Sequence, residues 1–275
     1  MTAYDNAVAK FTRIATLNET YAVLSWDGAA MMPPGGAAAR GEQMAVLAGL
    51  SHDLLTAPDL ADDLAAAHAP NDPWSTANLA LMRETLHRAT ALPRDLVEAV
   101  SRANSHCETI WRTARPASDF VAIRPALAEV FNLTRQAAAI LGAALNRTPY
   151  DALMSGYQRG LTEAEVTPIF AAYEAFLNTA LPSAEAHQAA SPAPPLPPGP
   201  FPTNAQEKLA RHLAEAAGLN FSSARLDRSA HPFCGGTSTD IRITTRYDED
   251  DFCAALMGVL HETGHALYEQ NLPKT

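Results

Sequence analysis

Two histidines and a glutamate close to residue 275 have the types and spacing for metal-dependent hydrolysis. His261, Glu262 and His265 form the pattern His-Glu-x-x-His, a signature of zinc sites. On an α-helix, residues four apart lie on one face, so both imidazoles can bind one metal ion. The Glu262 carboxylate, one position further round, can act as general base towards a water at the metal. The alternative is a helix whose histidines fall four apart by chance.

The residues around this pattern predict a helix over positions 250–271. Acidic residues 248–251 precede it, apolar side chains recur at helical spacing, and Asn271 with Pro273 marks its end. Gly264 inside the helix costs about 1 kcal/mol relative to alanine. That cost favours the close approach of another backbone or of substrate, although packing is an equal explanation.

A catalytic zinc needs a third protein ligand, and none is obvious after the motif. The extended motif with a glycine at position 268 and a histidine at 271 is excluded by Tyr268 and Asn271. Glu269 lies eight residues from His261, about 12 Å along a straight helix, which zinc bonds of about 2.1 Å cannot span. What remains is a pattern of two histidines and a glutamate from a later helix. We therefore expect the third ligand beyond Thr275, and activity of the 275-residue chain alone stays open.

A strand is predicted just before the helix. Residues 240–247 alternate between apolar and polar side chains and are rich in β-branched types, and Gly235-Gly236 marks a turn before them. Such a strand could hold an extended peptide by main-chain pairing at its edge. An ordinary solvated edge is the alternative.

Three motifs in order carry a resemblance to a known family. They are His231-Pro232-Phe233, then Asp240-x-Arg242-x-Thr244, then His261-Glu262-x-x-His265. In this order they resemble the thermostable metallocarboxypeptidase family typified by Taq carboxypeptidase. Trp26-Asp27 and Tyr150-Asp151-Ala152-Leu153 are also similar to that family. The resemblance covers essentially the whole chain but only about the N-terminal half of a family member.

The resemblance implies a mostly α, multi-helix metallopeptidase-like fold with a small antiparallel β-sheet beside the active-site helix. It implies zinc-dependent release of single residues from peptides with a free C-terminus, with Co²⁺ as an alternative metal and a homodimer in keeping with the family. It makes His261 and His265 the metal ligands and Glu262 the catalytic residue, whereas the family's third ligand is missing. It also places six residues on the substrate side: His231, Pro232, Phe233, Asp240, Arg242 and Thr244.

Three functional interpretations remain open. The leading one is a zinc metallocarboxypeptidase. The second is a truncated, non-catalytic helical protein, or one half of a split enzyme. The third is a zinc endopeptidase, which a substrate with a blocked C-terminus distinguishes from a carboxypeptidase.

Composition excludes several classes. A net charge of −10 argues against a nucleic-acid partner. The chain contains no run of 18 apolar residues, so the sequence predicts no membrane span. Three widely spaced cysteines, Cys107, Cys234 and Cys253, are typical of free thiols in a reducing compartment. The first 17 residues lack the apolar core of a signal peptide, so a cytoplasmic protein is expected.

The chain divides into a helical region at 1–190, a proline-rich linker at 191–202, and a segment at 203–275 that carries a helix, short strands and the metal helix. The linker holds seven of the 20 prolines. In the first region we expect a helix ending near Trp26, a loop at 146–160, and a capping box of Thr162 with Glu165. Further helices are predicted at 37–56, 73–90, 93–115 and 119–145. A second capping box, Thr203 with Gln206, is predicted to open the helix after the linker.

Overall fold

The computed structural model describes residues 1–191 and 197–273, which contain ten α-helices and a three-stranded sheet. The helices are α1 (Ala3–Ala30), α2 (Ala37–Leu55), α3 (Pro58–Ala66), α4 (Pro73–Ala91), α5 (Arg94–Ala114), α6 (Phe120–Leu145), α7 (Pro149–Met154), α8 (Glu163–Ala189), α9 (Thr203–Ala216) and α10 (Phe252–Gln270). The strands are β1 (Ala224–Arg228), β2 (Cys234–Thr237) and β3 (Asp240–Thr245). The mostly helical fold with a small sheet is confirmed.

The chain forms two compact units. The first comprises Met1–Leu133 and Gly199–Thr275, and the second comprises Thr134–Pro198. The predicted linker at 191–202 includes residues 192–196, which lie outside the described residues, so the predicted division of the chain stays a prediction. Within the described ranges, no helix is long and apolar enough to cross a membrane.

Local signals placed most helix ends correctly, with three corrections. The first helix, α1, is predicted to end near Trp26 but continues to Ala30. The Thr162 hydroxyl and the Glu165 side chain form the predicted capping box of α8. The predicted loop at 146–160 contains the short helix α7, whose cap is Thr148. The second predicted capping box is wrong, because the residue that caps α9 is Pro202 and no side chain bonds there. The Gln206 amide instead donates to the carbonyls of Phe201 and Asp248, at 2.7 Å each.

A buried cluster in the first unit fixes the elements that carry the predicted site. Ile241 and Ile243 of β3 are fully buried and pack with Val259 of α10. Ala210 and Ala214 of α9 belong to the same cluster, and α9 packs against α10. Burial of each isoleucine contributes about 1.5–3 kcal/mol. This cluster therefore holds α10 against the sheet.

The sheet has the order β1-β3-β2 and is mixed. Strand β2 runs antiparallel to β3, as predicted, and β1 runs parallel to β3 with Arg225 opposite Arg242. Gly236, the third residue of β2, has a φ of +84°, and a Cβ there would lie 2.1 Å from the Asp240 carbonyl. Only glycine fits this turn. Because β3 is central, the strand predicted to offer an edge cannot do so, and the edge nearest the predicted site belongs to β2.

Candidate metal centre

The two motif histidines converge on one point in front of α10. Their Nε2 atoms lie 3.3 Å apart and their ring centroids 4.9 Å apart, with the planes nearly perpendicular. Two zinc–nitrogen bonds of about 2.1 Å at a tetrahedral angle require a separation of about 3.4 Å. His261 and His265 therefore fit a shared divalent metal.

The pattern of burial along α10 explains this presentation. Asp251 caps the helix, because its carboxylate accepts from the amides of Cys253 and Ala254 at 2.9 and 3.3 Å. Ala255, Val259 and Ala266 lie on the buried side. The histidines lie on the exposed side. Helical periodicity thus anchors one face of α10 in the core and leaves the other free for ligands.

Glu262 lies at the border between these faces. It is 7% exposed and lines a cavity of about 510 Å³ together with His265 and Glu269. The cavity's other wall is formed by His231-Pro232-Phe233 and by β2. We call this space the metal-centre cavity. It brings the predicted catalytic carboxylate, one predicted metal ligand and three predicted substrate-side residues together.

Cys234, on the β2 wall of the cavity, is partly buried. Burial, together with the nearby carboxylates of Glu262 and Glu269, raises the pKa of the Cys234 thiol to about 11. Cys234 is therefore a neutral thiol near pH 7 in the metal-free chain.

A complete set of three metal-ligating side chains is absent from residues 1–191 and 197–273. Glu269 lines the cavity but lies two turns along α10 from His261. Gly264 lies between the histidines on the open face, and an added Cβ there would meet no atom of the described residues within 4 Å. Packing within the described part of the chain therefore does not explain this glycine, whereas the approach of another backbone or of substrate still does.

Asp240 and Arg242 lie behind the cavity wall. They form an ion pair at 2.6 Å, and the Arg242 guanidinium lies 4.0 Å from the ring centre of Trp26. Arg225, its neighbour on β1, lies 4.7 Å from the same ring and pairs with Asp227. Trp26 is buried in α1, so the two guanidiniums join that helix to the sheet. The spacing of the Asp240-x-Arg242-x-Thr244 motif could not reveal the shared contact of Arg225 and Arg242 with Trp26. That contact depends on the parallel register of β1 and β3.

Thr244 is fully buried and holds the cavity's other wall in place. Its hydroxyl accepts from the Phe233 amide at 3.1 Å and lies 2.7 Å from the Ser229 hydroxyl. The Ser229 hydroxyl also lies 2.6 Å from the His231 carbonyl. We call Ser229–Phe233 the 229–233 loop. Thr244 thus contacts the backbone of the loop, whereas His231, Pro232 and Phe233 line the cavity. Ser229 was not among the residues that sequence reasoning selected.

A helix that presents two histidines and a glutamate to an open cavity, beside a small sheet, is the arrangement of a helical metallopeptidase. Residues 6–275 match the model of the carboxypeptidase Taq (M32) metallopeptidase family. Thermostable carboxypeptidase 1 of Thermus thermophilus is 37% identical over 99% of this chain and 56% of its own length. The protein of that name from Pyrococcus furiosus is 30% identical over 95% of this chain and 53% of its own length.

A solved structure agrees with these matches. Trypanosoma cruzi metallocarboxypeptidase 1 superposes with a TM-score of 0.84 and 34% identity, over 99% of this chain and 55% of the other. The chain belongs to the carboxypeptidase Taq (M32) metallopeptidase family. It spans about half the length of the curated relatives it matches.

Proposed function

We propose that this chain supplies the zinc-binding histidines and the general base of a carboxypeptidase that releases single C-terminal residues from peptides. The observation that carries the proposal is the 3.3 Å separation of the His261 and His265 Nε2 atoms, with Glu262 beside them. The relatives named as carboxypeptidases support the reaction class.

Two imidazole nitrogens with a tetrahedral separation suit zinc, and cobalt is the alternative. A divalent ion held there supplies Lewis acidity, which polarises a peptide carbonyl and acidifies water. Glu262 accepts a proton from the attacking water and delivers it to the nitrogen of the departing residue. Because Glu262 is largely shielded from solvent, its carboxylate has few competing waters.

The third ligand is proposed to be a carboxylate from a polypeptide segment outside the described residues. Its support is the absence of a three-ligand cluster within 1–191 and 197–273, together with the open space at Gly264 between the histidines. A carboxylate would leave the ion with two neutral ligands and one anionic ligand, a set used by zinc hydrolases.

His231, Pro232 and Phe233 are proposed to contact the peptide directly, since they line the metal-centre cavity. Asp240, Arg242 and Thr244 are proposed to act on substrate through the wall they support, in view of their contacts with Trp26 and the 229–233 loop. The edge strand β2 also lines the cavity, so an extended peptide can pair with its main chain.

The proposal is tested by incubating the purified chain and Zn²⁺ with one peptide in two forms, with a free and with an amidated C-terminus. Any release of the last residue is expected from the free form only. Glu262→Gln is expected to abolish release while metal binding persists. Cleavage of both forms at an internal bond would show an endopeptidase instead. No cleavage of either form by a chain that binds Zn²⁺ would contradict activity of the 275-residue chain alone and favour the non-catalytic or split-enzyme alternative.

A cytoplasmic location is also proposed, supported by three free thiols at Cys107, Cys234 and Cys253. The homodimer that the family resemblance favours is tested by sedimentation equilibrium of the purified chain. A mass of one chain at all concentrations would contradict it.

A further inference from the structure

A second cavity, of about 490 Å³, lies on the other side of the 229–233 loop. Its walls come from α1, α2 and α5 as well as from the loop, and they include Ala29, Met32, Met44, Trp111 and Phe233. Its volume is within the range of about 300–1,000 Å³ that is usual for ligand pockets. None of its lining residues belongs to α10, so it is separate from the metal-centre cavity.

The charged groups in this second cavity are already paired. Arg40 contacts Asp27 at 2.7 Å and also donates to the Leu24 carbonyl at 2.7 Å. Arg112 donates to Glu108 at 2.7 Å. A charged ligand would have to displace one of these partners, which costs free energy. An uncharged ligand gains apolar contact with the methionine and aromatic side chains without that cost.

The two cavities share part of their lining. His231 and Phe233 line both of them. Trp111, on the wall of the second cavity, makes an edge-on contact with the His231 ring at 6.5 Å between centroids. The Thr244 hydroxyl fixes the loop through its hydrogen bonds with Ser229 and Phe233. The distance between the two cavities is therefore set by the fold. A peptide with its C-terminus at the metal centre therefore meets the second cavity by crossing the loop.

We infer that the second cavity binds a large apolar side chain of the peptide substrate, on the amino side of the bond to be cleaved. This inference rests on the proposed function, because it takes the metal-centre cavity as the place where the last residue lies. Phenylalanine, leucine and methionine side chains suit the apolar part of the wall, whereas lysine and glutamate do not.

The test uses the full chain with Glu262→Gln, saturated with Zn²⁺, so that peptides bind without being cleaved. The probes are acetylated six-residue alanine peptides with a free C-terminus, in which one phenylalanine is moved from the second to the fifth position from the end. We expect one upstream position to tighten binding by roughly ten- to a hundredfold over the all-alanine peptide.

The matched variants are Ala29→Phe, which fills the second cavity, and Ala30→Phe, the next residue of α1, which is not part of its lining. Ala29→Phe should abolish the preference for phenylalanine and Ala30→Phe should keep it. The milder Ala29→Leu should reduce the preference, which guards against misfolding of the larger variant. Melting curves of all three variants identify any that does not fold.

Several results would overturn the inference. They are the absence of any preference for phenylalanine, a preference that survives Ala29→Phe, and an effect of Ala29→Phe on self-association alone. Failure of the inference is distinguished from failure of the proposed function by measuring release of the last residue with the unsubstituted chain. Release of the last residue without a preference for phenylalanine removes only the inference. A preference that depends on Ala29 without any release removes the carboxypeptidase activity and leaves a peptide-binding cavity.

Discussion

Replacement of Thr244 by valine tests whether this residue positions the 229–233 loop. Valine keeps the shape of the side chain but removes the hydroxyl, which accepts from the Phe233 amide at 3.1 Å. The Ser229 hydroxyl still has the His231 carbonyl at 2.6 Å, so it keeps a partner. The backbone bond from the Thr244 amide to the Phe233 carbonyl, at 2.9 Å, is also kept. The variant therefore removes the acceptor of one half-buried amide, together with the longer bond of 3.4 Å from the Thr244 hydroxyl to the Phe233 carbonyl.

The size of the effect follows mainly from the unpaired Phe233 amide, because the Phe233 carbonyl keeps its backbone partner. A buried donor left without an acceptor costs about 1–3 kcal/mol, and the partial exposure of Phe233 places the value in the lower half of this range. About 1–2 kcal/mol corresponds to roughly five- to thirtyfold easier opening of the loop. Amide exchange of the 229–234 segment should accelerate by this factor. Peptide affinity should fall, whereas Zn²⁺ affinity should not.

Hydrogen exchange followed by mass spectrometry measures this change directly. Thr244→Ser is the control, because it keeps the hydroxyl and removes a buried methyl group, which costs about 1 kcal/mol of global stability. We expect the serine variant to lose stability while the loop stays protected. Equal protection of the loop in the valine and unsubstituted chains would refute the positioning role of Thr244.

Three further predictions concern the walls of the site. Because its pKa is raised from 9.0 to about 11, the Cys234 thiolate at pH 8 should be about a hundredfold less populated than in the unfolded chain. Iodoacetamide labelling of Cys234 should therefore be slow and should accelerate up to about pH 11; equal rates in folded and unfolded chains would contradict this. Ile243→Ala should lower the free energy of unfolding by about 2–5 kcal/mol in urea titrations, since Ile243 is fully buried; a change below about 1 kcal/mol would show that the cluster is loosely packed. Arg242→Met should lower it by about 1 kcal/mol through loss of the contacts with Asp240 and Trp26. Peptide affinity should fall by no more than about fivefold, the factor that corresponds to this loss of wall support; a large loss of peptide affinity at unchanged stability would mean that Arg242 binds substrate itself.

The parts of the structure that the sequence predicts are those set by neighbouring residues. Helix α10 lies within one or two residues of its predicted bounds, because its acidic start, apolar spacing and terminal Asn271 are all local signals. The capping box at Thr162 is local in the same way. The geometry of His261 and His265 follows from helical spacing alone, so this half of the metal centre could be predicted without a fold.

The parts that the sequence did not predict depend on distant residues. Thr203 and Gln206 have capping-box spacing, yet Gln206 bonds to the carbonyl of Asp248, 42 residues away. The stacking of Arg225 and Arg242 on Trp26 requires a parallel strand pair and a helix from the start of the chain. Periodicity carries no information about such pairings. Family resemblance could therefore select Asp240 and Arg242, but the sequence could not predict which residues they contact.

The most direct test of the account is an equilibrium titration of the purified, metal-free chain with Zn²⁺. The account predicts one Zn²⁺ per chain for the unsubstituted protein and for Glu262→Gln, with similar affinities. It predicts binding at least tenfold weaker for His261→Ala and for His265→Ala, because each removes one of the two nitrogens that lie 3.3 Å apart. Equal Zn²⁺ affinity in the histidine variants and the unsubstituted chain would contradict the assignment of the metal centre.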